Sequence, residues 1–202
     1  MIEPRGHRYT SIAITLHWLI AVAILTQLTA GLWMTTAIKE PGTRAFAFQV
    51  YQWHKALGLT VLVLSIARLL WRLTHAALPL PDGMTAFERF GAHATHWGFY
   101  LLMLGMPLLG WAMVSASPLG LPTIVFGLFE WPHIPWLAAL DDKKPLEDAF
   151  KFAHRTGAYL MLGLVALHVG AALKHHFISR DDVLPRILPG AGRRADNPRD
   201  LT

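Results

Sequence analysis

Four long stretches of this chain hold almost nothing that water would stabilise. They cover roughly residues 11–36, 50–73, 90–114 and 151–177. Each reaches the ~20 residues that carry an α-helix across a bilayer core. Inside hydrocarbon every backbone N–H and C=O must be satisfied within the segment, so helix is the expected form. The fold class that follows is an all-α membrane protein, a four-transmembrane-helix bundle. Composition agrees: 53% of the 202 residues are hydrophobic and only 15% charged, a balance unsuited to a soluble domain of this size. The eight tryptophans suit the membrane–water boundary. The first run is too long for the apolar core of a signal peptide, and no small-x-small pattern closes it.

The connections are polar or broken by proline. KEPGTRAF and HAALPLPDGMTAFE are short, the second punctuated by Pro79, Pro81 and Gly83. The third, roughly 115–150, carries Pro122, Pro132 and Pro135, which argue against another span. It reads as a partly helical segment along the interface, with Trp131 and Trp136 at headgroup level. Residues 1–189 form one expected domain, and 190–202 a disordered tail.

An even number of spans puts both termini on one side. Arg5, Arg8, Arg68, Arg72, Arg89, Lys174, Arg180, Arg186, Arg193, Arg194 and Arg199 fall there. Lys39, Arg44, Lys55, Lys143, Lys144, Lys151 and Arg155 fall opposite. The positive-inside rule therefore places the termini in the cytoplasm. The formal charge of +5 is spread beside apolar runs, which speaks for lipid contact and against nucleic acid. Cysteine is absent. Disulfides, thiolate-held iron–sulfur clusters and c-type haem are excluded with it.

Histidine is the informative residue, with eleven in the chain. Ionisable groups within a membrane are costly and point to function. At about 1.5 Å per residue, His17 lies roughly 10 Å inside the cytoplasmic end of the first helix. His54 and His154 each sit about one turn inside the outer face. His168 follows His154 by 14 residues, ~21 Å deeper and within ~40° of the same helix face, near the level of His17. The strip between them holds Gly157 or Ala158, Met161, and Leu164 or Val165.

Matched by height, His54 and His154 make an outer couple, and His17 and His168 an inner one. Two imidazoles facing across a bundle are what a six-coordinate b-type haem requires. Gly58, Gly157, Ala21 and Ala171, each three or four residues after a histidine, leave room for a flat macrocycle. The bundle is expected to enclose two haem b groups. Zinc fits less well, because these spans offer almost no carboxylate and no thiolate.

Competitors stay open. His93 or His96 can replace His17 or His168, or serve a proton or quinone site. His175 and His176 read as interfacial; His7, His75 and His133 as surface residues. Arg68 and Arg72 either snorkel to lipid phosphates or bind a haem propionate. Pro107 should kink the third helix.

With these residues set out, ITLHWLIA, YQWHKALGLTVLVLSIARLLWRL, HATHWGFYLLMLGMPLLGW, FGLFEWP and LHVGAALKHHFISRDDVLPRILP resemble the bacterial cytochrome b561 family of the CybB type, from about Tyr9 to Pro189. The resemblance implies a bacterial inner-membrane protein with axial histidines at His17, His54, His154 and His168. It further implies a superoxide oxidase that passes electrons from periplasmic superoxide to ubiquinone. The outer lysines and arginines would attract the anion, diluted by Asp141, Asp142, Glu147 and Asp148. Quinone carbonyls would find donors at His175, Arg72, His93 or His96. One alternative is a cytochrome b relay subunit between quinol and a partner redox protein. A haem-free transporter or assembly factor is another.

Overall fold

The computed structural model describes residues 8–190. Arg5, His7, Arg193, Arg194, Arg199 and all of the proposed tail except Gly190 lie outside the described residues. Four helices are long and apolar enough to cross a membrane: α1 (Ser11–Ala37), α2 (Arg44–Thr74), α3 (Ala86–Ser115) and α5 (Lys144–Lys174), the last prolonged through Ser179. Between α3 and α5 come a two-stranded antiparallel hairpin, β1 (Thr123–Val125) with β2 (Phe129–Trp131), and one short helical turn, α4 (Pro135–Ala138).

The helix ends follow local chemistry. Thr10 caps α1 by accepting from the Ala13 N–H at 3.3 Å. Thr85 and Glu88 form a reciprocal capping box at the start of α3. Pro145 occupies the first turn of α5, where its missing N–H costs nothing. Helix α5 ends in a π-helical turn, His175–Ser179, closed by Arg180 in the left-handed conformation at φ 54°.

Helix α1 packs along α2, α2 along α3, and α3 along α5. The buried centre is small and apolar: Ile20, Ile24, Met103 and Met161, flanked by Leu28, Leu64, Phe99, Tyr100, Leu102 and Val165. The outward faces are equally apolar. Val63 is 66% exposed, Leu101 74% and Leu167 67%. In water such a surface drives aggregation; in a bilayer it meets hydrocarbon.

The helices run further than the apolar runs. Helix α2 starts at Arg44 and α5 at Lys144, one to two turns before the hydrocarbon stretch begins. Charged residues continue these helices beyond the bilayer. In α5 the Glu147 carboxylate is buried between Lys151 at 2.9 Å and Lys144 at 3.4 Å, pairs spaced for adjacent turns. The third connection is partly helical, as expected, but its main element is the hairpin. Phe126 and Gly127 at its tip take positive φ, 49° and 76°, the left-handed geometry of a tight turn.

The terminal end is tied together by the segment after Arg180. The Tyr9 N–H donates to the Arg186 carbonyl, Trp18 Nε1 to the Ile187 carbonyl, and Arg8 to the Leu188 carbonyl. Arg186 reaches the Pro79 carbonyl in the α2–α3 connection at 2.7 Å. Lys174 pairs with Glu88, which joins the exit of α5 to the entry of α3.

Candidate haem-binding site

The structure brings the four histidines together in two couples. His17 on α1 and His168 on α5 have ring centres 6.1 Å apart, with planes at 56°. His54 on α2 and His154 on α5 have ring centres 6.2 Å apart, at 72°. All four rings are half-buried. The first couple lies toward the terminal end and the second toward the hairpin end. The apolar quartet of Ile20, Ile24, Met103 and Met161 lies in between.

These separations match a specific chemistry. A metal-bound imidazole nitrogen stands about 2.0–2.1 Å from its metal, and the ring centre roughly 1 Å beyond, so two trans imidazoles hold their centres about 6 Å apart. No described group of three or more His, Asp or Glu side chains is arranged to hold an ion by itself. A pair of imidazoles suits a metal that arrives with four donors of its own, as iron in porphyrin does. Nδ1 of His54 is buried without a hydrogen-bond partner. Nδ1 of His154 makes no hydrogen bond of regular geometry, although it is turned toward the Met106 carbonyl. The residues present therefore fit a haem.

The hairpin-end couple is held by close packing. A Cβ on Gly31 of α1 would stand 3.3 Å from His54 Cε1, and one on Gly110 of α3 would stand 3.4 Å from His154 Cε1. Each ring thus lies on the bare backbone of a neighbouring helix. Gln27 donates to the His54 carbonyl at 2.9 Å, and Gly58 gives that amide its space, since a Cβ there would meet Gln27 Nε2 at 3.2 Å. Gly58 was expected to clear room for a macrocycle; its contact is with Gln27. Gly157 lies against the Met106 side chain. The sequence reading missed Gly31 and Gly110. Each follows a histidine of its own helix by 14 residues, Gly31 after His17 and Gly110 after His96, the spacing that also puts His154 and His168 on one face; the cross-helix contact shows which ring each one meets.

The terminal-end couple has more polar company. His96 lies with its ring centre 5.8 Å from His168, and Phe99 packs edge-on at 5.4 Å. Arg68 does not snorkel outward. It donates to the Ala13 carbonyl at 3.0 Å and brings Nη2 to 3.5 Å from His17 Nδ1. That last separation exceeds a normal hydrogen bond, so Arg68 acts there as a positive charge beside the ring. His175 is buried, and its Nδ1 meets the Asp181 carboxylate at 2.5 Å. It is an inward-held residue, where an interfacial one was expected. His75 stacks on Trp71 at 3.8 Å and is tied to Thr74.

The profile of prokaryotic cytochrome b561 matches residues 8–190. The chain belongs to the prokaryotic cytochrome b561 family. It is similar to Cytochrome b561 homolog 2 of Escherichia coli, at 32% identity over 90% of this chain and 91% of that protein. It is also similar to the Probable superoxide oxidase CybB of Yersinia pestis, at 28% over 90% and 96%. Cytochrome b561 homolog 1 of Escherichia coli is 26% identical over 91% and 98%. The chain is accordingly a multi-pass membrane electron-transfer protein of a family that binds b-type haem.

Proposed function

We propose that the chain is a diheme superoxide oxidase of the bacterial inner membrane, with ubiquinone as electron acceptor and both termini in the cytoplasm. The observation that carries this reading is the pair of ring separations, 6.1 and 6.2 Å, at two levels of one bundle. His54 and His154 would hold an outer haem b, and His17 and His168 an inner one. Each bound haem supplies a one-electron carrier. The name of the Yersinia relative supports the choice of reaction.

The protein's own groups have distinct tasks. Gly31 and Gly110 let the outer imidazoles lie against backbone, which fixes their orientation. Ile20, Ile24, Met103 and Met161 exclude water between the two levels. At the hairpin end, Lys39, Lys143 and Arg155 have no carboxylate partner among the described residues, and their field attracts an anion. Lys144 and Lys151 contribute less, because Glu147 and Asp148 pair with them. Oxidising superoxide to dioxygen moves no proton, so no base is needed at that end.

Reducing one quinone takes the electrons of two superoxide ions and two protons. The protonatable groups cluster at the other end: His96 beside His168, and His175 with its Nδ1 on Asp181. Asp181 orients the His175 ring and leaves Nε2 to give a proton to a quinone carbonyl.

Reduction of the purified protein by a pulse of superoxide, with and without ubiquinone, tests the proposal. The haem absorption should rise to its reduced form within the pulse and fall again when quinone is present. A protein inert to superoxide but reduced by quinol is a relay subunit instead. A colourless protein rules out both.

A further inference from the structure

The roof of the outer site holds a cation whose role rests on the reading of His54 and His154 as haem ligands. The hairpin segment is tied down at two places, and each adjoins one of those histidines. On α2, Gln52 donates to the Pro122 carbonyl at 3.0 Å and accepts from the Ile124 N–H at 3.2 Å. Lys55 Nζ donates to the same Pro122 carbonyl at 2.5 Å. Gln52 and Lys55 bracket His54 in the chain. On α3, Trp111 Nε1 donates to the Pro132 carbonyl at 2.8 Å, and Ser115 accepts from the Ile134 N–H at 2.9 Å. Trp111 follows Gly110, the residue against the His154 ring. The segment therefore roofs the His54–His154 couple.

Beneath that roof Lys55 is anomalous. It is half-buried, yet no described carboxylate lies within ion-pair distance of it. Among the described residues its one hydrogen-bond partner is a neutral carbonyl. An ammonium has three donors, so two are left over. A partly desolvated charge is ordinarily matched by an opposite one. The other cations bonded near this end have different status: Lys144 and Lys151 are neutralised by carboxylates, and Arg44 reaches the Ile38 carbonyl from an exposed position.

We infer that Lys55 is the anion-holding residue of the outer site, its ammonium positioned by the Pro122 carbonyl to receive an anionic oxygen. Two sources share that chemistry: a carboxylate of the outer haem, or the incoming superoxide ion. The first makes Lys55 an anchor of the cofactor, the second a guide for the substrate.

The test uses the full-length holoprotein. Lys55→Gln keeps a donor for Pro122 but loses the charge, and Lys55→Arg keeps both. Gln52→Leu cuts roof contacts without touching charge. Loss of the positive charge should lower the outer haem's midpoint with the inner one unmoved, by about tenfold in the electron equilibrium, or about 59 mV for one electron. If the haem carboxylate is the anion, Lys55→Gln also loses outer haem to apomyoglobin several-fold faster. If superoxide is the anion, haem retention is unchanged and the superoxide rate falls several-fold, with a weaker salt dependence. Lys55→Arg should restore either property. The inference is overturned if midpoint, retention and rate all match the wild type, or if Gln52→Leu reproduces the Lys55→Gln changes. A wild type holding only one haem overturns the ligand reading itself, before any variant is made.

Discussion

The two histidine couples have nearly the same ring separation and very different surroundings. The His54–His154 couple is wedged against glycine backbone on two neighbouring helices and roofed by a hairpin. The His17–His168 couple has a third imidazole, a guanidinium and, just past α5, the buried His175 paired with a half-buried Asp181 for company. A site that exchanges only electrons needs rigid ligands and a shaped entrance. A site that reduces a quinone also needs groups that carry protons. The contrast between the couples is the physical basis for giving them opposite ends of one electron path.

The sharpest way to break this comparison is to remove the proposed haem ligands one at a time. His54→Ala or His154→Ala should halve the haem content and spare the inner spectrum. His17→Ala or His168→Ala should do the reverse. Pyridine haemochrome content with reduced-minus-oxidised spectra reads both. Loss of both haems, or of neither, in folded protein would make the two levels one site.

Next in size is the backbone wedge. Gly31→Val and Gly110→Val put methyl groups where a Cβ alone already stands 3.3–3.4 Å from the ring. Overpacking of this kind costs about 1–3 kcal/mol. The outer haem should be depleted while the inner one is retained, and the equivalent change at Gly105, which meets nothing within 4 Å, should have little effect.

These glycines also show where sequence reading stopped. Depth along a helix is arithmetic, so the heights of His17, His54, His154 and His168 could be matched from residue numbers alone. Gly31 follows His17 by 14 residues, so its face of α1 was legible in the sequence, but its contact with His54 depends on how α1 packs against α2. The hairpin was hidden for a different reason. Its strands are three residues each, too short for alternation to register, and its tip places Phe126 rather than glycine in the first left-handed position. His175 looked interfacial because its partner, Asp181, is reached only when a π-helical turn and the left-handed Arg180 fold the chain back. Helix α5 begins at Lys144 because Glu147 lies between two lysines one turn away, a polar stabilisation that a search for apolar runs overlooks.

Smaller effects sharpen the contrast. Arg68→Gln removes the charge beside His17 and should lower the inner midpoint by several-fold in electron equilibrium, with the outer midpoint unmoved, as read by redox titration. Asp181→Asn should slow quinone reduction several-fold while leaving haem reduction by superoxide at its normal rate. The two steps separate in a double-mixing experiment. At the hairpin end, Lys143→Gln should slow the superoxide step by about twofold at low salt, and Lys144→Gln by less, since Lys144 is already paired with Glu147 and Asp148.

The account depends most directly on the number of haems and the ligands that hold them. Haem-to-protein stoichiometry with low-temperature electron paramagnetic resonance of the oxidised protein measures both together. Two haem b per chain, each low-spin with paired histidine ligation, is the result the geometry calls for. One haem per chain, or a high-spin iron with an open coordination position, would contradict it.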